Sequence, residues 1–97
     1  MHARVSTYKT DDPDGLVEGF KNVSSDLGQV DGFSHAYFLV DKEGGKALSI
    51  TIWESGDALL ASQSKADELR KRGTEASGTS IDAVDHYEIS HTVGSAA

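Results

Sequence analysis

His35 and Tyr37 lie two residues apart in the run FSHAYFLVD, residues 33–41. In an extended chain they point to the same side. A neutral imidazole can take a proton from a phenol, and a neighbouring tyrosine can orient it. The pair is the candidate catalytic set. The alternative is a half-exposed His35, near a strand end, that is merely solvated. Ser62 and Gln63 form a second set. Ser62 shares a helical stripe with Ala58, Leu59, Ala66 and Leu69, and Gln63 sits at its edge. Small and polar groups inside a buried stripe leave room for a cavity and could hydrogen-bond a ligand. They would equally let a helix sit close to a sheet. Trp53 could stack on a ligand or act as packing mass. His86 and Glu88 point the same way along a strand, which could begin a metal site. Ser62, Gln63, Trp53 and His86 are the candidate substrate-binding residues. Lys65, Arg70, Lys71 and Arg72 could bind an anion, or simply form a solvated helix end. Glu43-Gly44-Gly45-Lys46 is no phosphate loop, because no helix follows it.

These residues must be positioned by a small set of elements. ARVSTYK, residues 3–9, is a β-branched and aromatic run and predicts a strand. Asp12-Pro13 marks a helix start, with Asp12 as N-cap and Pro13 at the first helical position. Leu16, Phe20, Val23 and Leu27 then recur at helical spacing. Gly28 is expected to end that helix in the left-handed conformation. The second strand covers 33–41. The glycines at 44 and 45 suit a hairpin turn, and the third strand covers 47–54. Ser55 caps a second helix, which is expected to run to about Arg72 and stop at Gly73. Its C-terminal cations complement the helix dipole. A polar loop, 74–80, leads to a last strand within 82–93. The tail Gly-Ser-Ala-Ala is expected to fray.

The order β-α-β-β-α-β predicts an α+β, ferredoxin-like fold. With right-handed crossovers it gives a four-stranded antiparallel sheet in the order 4-1-3-2, with two helices on one face. Strands 2 and 4 are then opposite edges. His35 and His86 fall about 14 Å apart, three strand spacings, so no metal site is expected in one subunit. A two-residue Gly44-Gly45 turn pairs Leu39 with Ile50 and Tyr37 with Ile52. His35 shares their face, which is assigned to the helices. Ala36, Phe38, Val40, Thr51 and Trp53 share the other. An exposed face carrying Phe38 and Trp53 should bury itself against a second copy, so a homodimer is expected.

At 97 residues the chain is one domain, 1–97, with an ordered core of about residues 3–93. Acidic residues number 16 and basic residues 9, for a net charge of −7. Such a chain repels phosphate backbones and anionic lipid, so neither nucleic acid nor a membrane is an expected partner. The absence of Cys removes disulfides, thiolate catalysis and Cys-based metal sites. No apolar run is long enough to span a bilayer, and MHARVSTYKT lacks the apolar centre of a signal peptide. A cytoplasmic protein is expected.

Asp31-Gly32-Phe33 opening the second strand, and Ile50-Thr51-Ile52-Trp53-Glu54-Ser55 closing the third, resemble the antibiotic biosynthesis monooxygenase group of the dimeric α+β barrel superfamily. The element order carries that resemblance over nearly the whole chain. It implies a homodimeric barrel with a ligand pocket between helices and sheet in each subunit. It also implies an activity of the cofactor-independent oxygenase kind, on a small aromatic, phenolic or quinol-type compound. In that case His35 would be the base, and Tyr37, Ser62 and Gln63 would shape the pocket. A non-catalytic small-ligand-binding or accessory protein on the same scaffold is the alternative. The chain departs from the group at two positions. Many members carry a His nine residues after the Trp, and here that residue is Ser62. The haem-degrading members carry a Trp there and a haem-ligating His ten residues later, where this chain has Arg72. No cofactor is expected: neither haem, flavin nor metal.

Overall fold

The computed structural model describes residues 1–94, so most of the tail expected to fray lies outside the described residues. The elements are β1 (His2–Lys9), α1 (Pro13–Leu27), β2 (Phe33–Asp41), β3 (Lys46–Trp53), α2 (Gly56–Ala61), α3 (Gln63–Glu75) and β4 (Ser80–Glu88). All pairings are antiparallel, in the order β2-β3-β1-β4, which is the expected topology.

Local signals explain the element starts. The Asp12 side chain accepts from the Gly15 N–H with Pro13 behind it, and Ser55 accepts from the Ala58 N–H. The ends differ from expectation. Gly28 closes α1 in a right-handed conformation (φ −63°). The second helix does not stop at Gly73 but runs two residues further, because Gly73 packs against α1. A methyl group on Gly19 would overlap the Gly73 carbonyl, so the two backbones touch there. The same helix is interrupted at Ser62, where the Leu59 carbonyl accepts from both Ser62 Oγ and the Arg4 guanidinium. The β2–β3 turn holds four residues rather than two, from Lys42 to Gly45, and Gly45 takes the positive φ (64°) that a side chain disfavours. Leu39 therefore faces Leu48 and Tyr37 faces Ile50, a register two residues from the expected one.

That shift of two leaves each residue on its side of the sheet, so the two groups of side chains stay as expected. Which group meets the helices is reversed. Trp53 is fully buried, in a cluster with Val23, Leu27, Leu59 and Leu69. Phe38 stacks on Phe20 of α1 at 4.6 Å between centroids. Tyr8, Leu16, Phe20 and Ala47 complete the core. The outer face carries rows set by register: His35-Ile52-Ala3-Tyr87, Tyr37-Ile50-Val5-Asp85 and Leu39-Leu48-Thr7-Ala83. Alternation alone yields two faces, and with both apolar it cannot say which is inside. The apolar stripe of α1 decides, because its Phe20, Val23 and Leu27 meet the aromatic face.

Candidate functional site

On the helix side, one row across the sheet reads Ala36-Thr51-Arg4-His86. Arg4 stands on a central strand with sheet on both sides and helix above. It is 2 % exposed. Its Nε donates to His86 Nε2 at 3.4 Å, and its Nη1 to Ser62 Oγ at 3.2 Å. Its Nη2 donates to the Leu59 carbonyl at 2.9 Å, to Ser62 Oγ at 3.2 Å and to Gln63 Oε1 at 3.3 Å. Its Cζ lies 5.6 Å from the centre of the Trp53 ring, within cation–π range. The indole N–H is satisfied by Thr51 Oγ1 at 2.9 Å.

Four of the residues singled out in the sequence, Ser62, Gln63, Trp53 and His86, thus converge on Arg4. The sequence reading had missed Arg4 itself. A signal was present. In the order 4-1-3-2 the first strand is central, and a charge on a central strand of a helix-covered sheet must be buried and partnered.

His35 and Tyr37 are not part of this constellation. They lie on the outer face, which corrects the helix-facing placement. The extra residue Ser34 is inserted between the pairs Phe33–Trp53 and His35–Ile52, so Phe33 turns inward onto Trp53 while His35 keeps the side of Tyr37, the face turned away from the helices. His35 Nδ1 is 2.8 Å from Ser34 Oγ, and its ring meets Tyr37 edge-on at 5.5 Å. Phe38 and Trp53 are likewise removed from the proposed dimer face.

Next to Arg4 a cavity of about 40 Å³ lies between α1, α3 and the sheet. Arg4, Ser6 and Arg70 form one end; Phe20, Val23, Phe38 and Trp53 form the apolar remainder. Tyr8 and Ser49 also line it and bond one another at 2.8 Å. Arg70 donates to Ser6 Oγ at 3.1 Å and pairs with Asp67 at 2.8 Å. Two other members of the basic cluster are engaged at the surface: Arg72 with Asp26 and Glu68, and Lys65 with Glu68.

The electrostatics follow from this packing. Burial, then the charge of Arg70, lowers the Arg4 pKa from its ordinary value, yet an arginine stays charged at neutral pH. Partial desolvation, then the charges of Arg4 and Arg70, lowers the His86 pKa. His86 is accordingly neutral near pH 7, with its Nε2 as the acceptor. The Asp67 carboxyl is lowered chiefly by its hydrogen bond from Arg70. Among the described residues no three His, Asp or Glu side chains converge as a metal site. No helix is long and apolar enough to cross a membrane.

No protein-family model matches the chain, and no curated protein matches it in sequence. Solved structures do match. SnoaB, a cofactor-independent oxygenase from Streptomyces nogalater, is 13 % identical over 97 % of both chains, with a TM-score of 0.77. A Deinococcus radiodurans protein assigned as an antibiotic biosynthesis monooxygenase is 12 % identical over 100 % of both chains, with a TM-score of 0.73. A dimeric ferredoxin-like protein from an uncultured marine organism is 11 % identical over 98 % of this chain and 100 % of that one, with a TM-score of 0.66. The chain has the fold of the antibiotic biosynthesis monooxygenases.

Proposed function

We propose that the protein is a cofactor-independent oxygenase-type homodimer acting on a small aromatic compound of the phenol or quinol kind. The observation that carries this reading is the cavity between helices and sheet, apolar along most of its wall and polar at one end. Its position on a fold shared with SnoaB adds support. Such chemistry needs an electron-rich substrate that reduces oxygen itself. For an anthrone-like substrate, a CH₂ group becomes a carbonyl. One oxygen atom enters the product, the other leaves as water, and both come from O₂. The four electrons come from the substrate. The first requirement is loss of a proton from the substrate. His86, neutral and exposed outside the cavity lining, is the candidate acceptor in place of His35, and its Nε2 must give up the bond from Arg4 Nε to take the proton.

The dimer would form through the outer sheet face. Tyr37, Leu39 and Tyr87 there are 48, 47 and 56 % exposed, and Ile50, Leu48 and Val5 lie between them. His35 and Tyr37 would then be interface residues. The relative described as a dimeric ferredoxin-like protein supports this assembly.

The second reading is a non-catalytic binding or accessory protein, and the size of the cavity bears on both readings. A cavity of about 40 Å³ holds water but not an aromatic ring, for which engineered cavities of about 150 Å³ are needed. A ring enters only if Phe38, 37 % exposed on an edge strand, swings away from Phe20. Oxygen uptake with anthrone-like and hydroquinone substrates tests the two readings. The oxygenase should consume at least one, and His86→Gln should lower the rate by about 10²–10⁴-fold if His86 is the base. If the wild type consumes none, the binding reading replaces it.

A further inference from the structure

We propose that the cavity takes its ligand as an anion, with the ionised oxygen set against the Arg4 guanidinium. This deepens the reading above by naming the charge state of the compound bound. Three observations carry it.

The first is charge balance. The residues around the cavity include two guanidiniums, Arg4 and Arg70, and no carboxylate. The nearby carboxylate, Asp67, is exposed and bonded to Arg70 and Gln63. A chain of net charge −7 therefore has a positive cavity.

The second is how Arg4 is held. All its acceptors are neutral, and only the Leu59 carbonyl at 2.9 Å lies within the range of a strong charge-assisted bond. The other contacts run from 3.2 to 3.4 Å. The guanidinium is oriented by these groups but not neutralised by them. A buried cation whose counter-charge, Asp67, is exposed and already paired with Arg70 is an unfavourable arrangement that a bound anion relieves.

The third is donor capacity. Nη1 carries two N–H groups and has one acceptor among the described residues, Ser62 Oγ. One donor is left for a ligand. A phenolate, enolate or carboxylate oxygen would accept it, with the ring along Trp53 and Phe20 in the space that Phe38 vacates as it swings away. Arg4 then binds the ligand directly. Ser62 and Gln63, which do not line the cavity, are positioning residues that fix the guanidinium.

This places the activation of a phenol in a buried positive charge as well as in a base. An opposite charge within 4–6 Å typically lowers an acid's pKa by about 1–3 units, or about ten- to a thousandfold in favour of the ion. The titratable and charged groups around the site are Arg4, Arg70 and Tyr8 in its lining, with Asp67 and His86 beside the guanidiniums. Protonation of His86 would strengthen the positive field, whereas loss of Arg4 would remove most of it.

The experiment uses 4-nitrophenol, whose neutral and ionised forms absorb at different wavelengths, and 4-nitrotoluene as its uncharged counterpart. The purified wild-type protein should bind the phenolate at least tenfold more tightly than 4-nitrotoluene. The bound phenol should show the phenolate spectrum about one pH unit or more below the free titration. Arg4→Met should abolish both effects, and Arg4→Lys should retain part of them. The wild-type comparison of the two probes stands even if Arg4→Met does not fold. Equal affinity for the two probes, or no binding of either, overturns the proposal. Equal affinity would leave the oxygenase reading intact, since the cavity would still accept rings. Phenolate binding that depends on Arg4, without oxygen uptake on any phenol, would keep this proposal and end the oxygenase reading.

Discussion

The two faces of the sheet hold their polar groups in different ways. The face under the helices carries Arg4, Ser6, Ser49 and Thr51 beside Tyr8 and Trp53. The opposite face carries Val5, Leu48, Ile50, Tyr37 and Leu39, with His35, Thr7 and Asp85 as its polar members. The interior holds its polar atoms because they satisfy one another: Tyr8 with Ser49, Arg70 with Ser6, Trp53 with Thr51, Arg4 with Ser62. The polar pairs of the other face, His35 with Ser34 and Asp41 with Lys46, lie at its edge, and the free energy gain of its apolar centre comes from contact with another apolar surface. One face builds a site, and the other builds an interface.

That comparison can be broken from either side. Trp53→Ala empties the centre of the inner face and should cost about 3–5 kcal/mol of folding stability, read from denaturant unfolding. A loss below 1 kcal/mol would mean the helix side is not the principal core. Ile50→Lys places a charge in the middle of the outer face. It should weaken the dimer by about 10²–10³-fold, since an unpaired buried charge costs several kcal/mol. Sedimentation equilibrium at micromolar concentration reads the mass; a wild-type monomer, or an unaffected dimer, contradicts the interface.

Tyr8→Phe is intermediate. It leaves Ser49 unpaired inside, a cost of about 1–3 kcal/mol, with no change in dimer mass. The smallest effect is the pH dependence of His86. Its folded pKa is depressed, so it contributes stability above its ordinary pKa that is lost as pH falls through the lowered one. Wild type and His86→Gln should therefore diverge in melting temperature only as the solution turns acidic, the wild type losing more. Parallel curves would show that His86 does not feel the two guanidiniums.

Much of the fold was legible because it is written locally. The bounds of β2, the caps Asp12 and Ser55, and the stripe Leu16-Phe20-Val23-Leu27 depend on residues a turn or two apart. The inside face of the sheet was not legible. It depends on which aromatic ring meets which helix, a contact across tens of residues such as Phe20 with Phe38. The site was half legible. Ser62, Gln63, Trp53 and His86 were found as polar or aromatic residues at odd places, but the residue joining them was passed over within an unremarkable strand. His35 keeps the side it shares with Tyr37, and it lies outside because the opposite face of the sheet meets α1.

The contact of Gly19 with Gly73 has a bearing on how the cavity could change in size. α1 and α3 form the ceiling over the sheet, and at this point neither helix has a side chain to hold them apart. The ceiling is therefore at its lowest, and the smallest addition, a single methyl at Gly19, acts as a wedge that lifts α3. Because α3 also carries Gln63, which bonds Arg4, and Arg70, which bonds Ser6, such a wedge would widen the chamber and loosen its charged wall together.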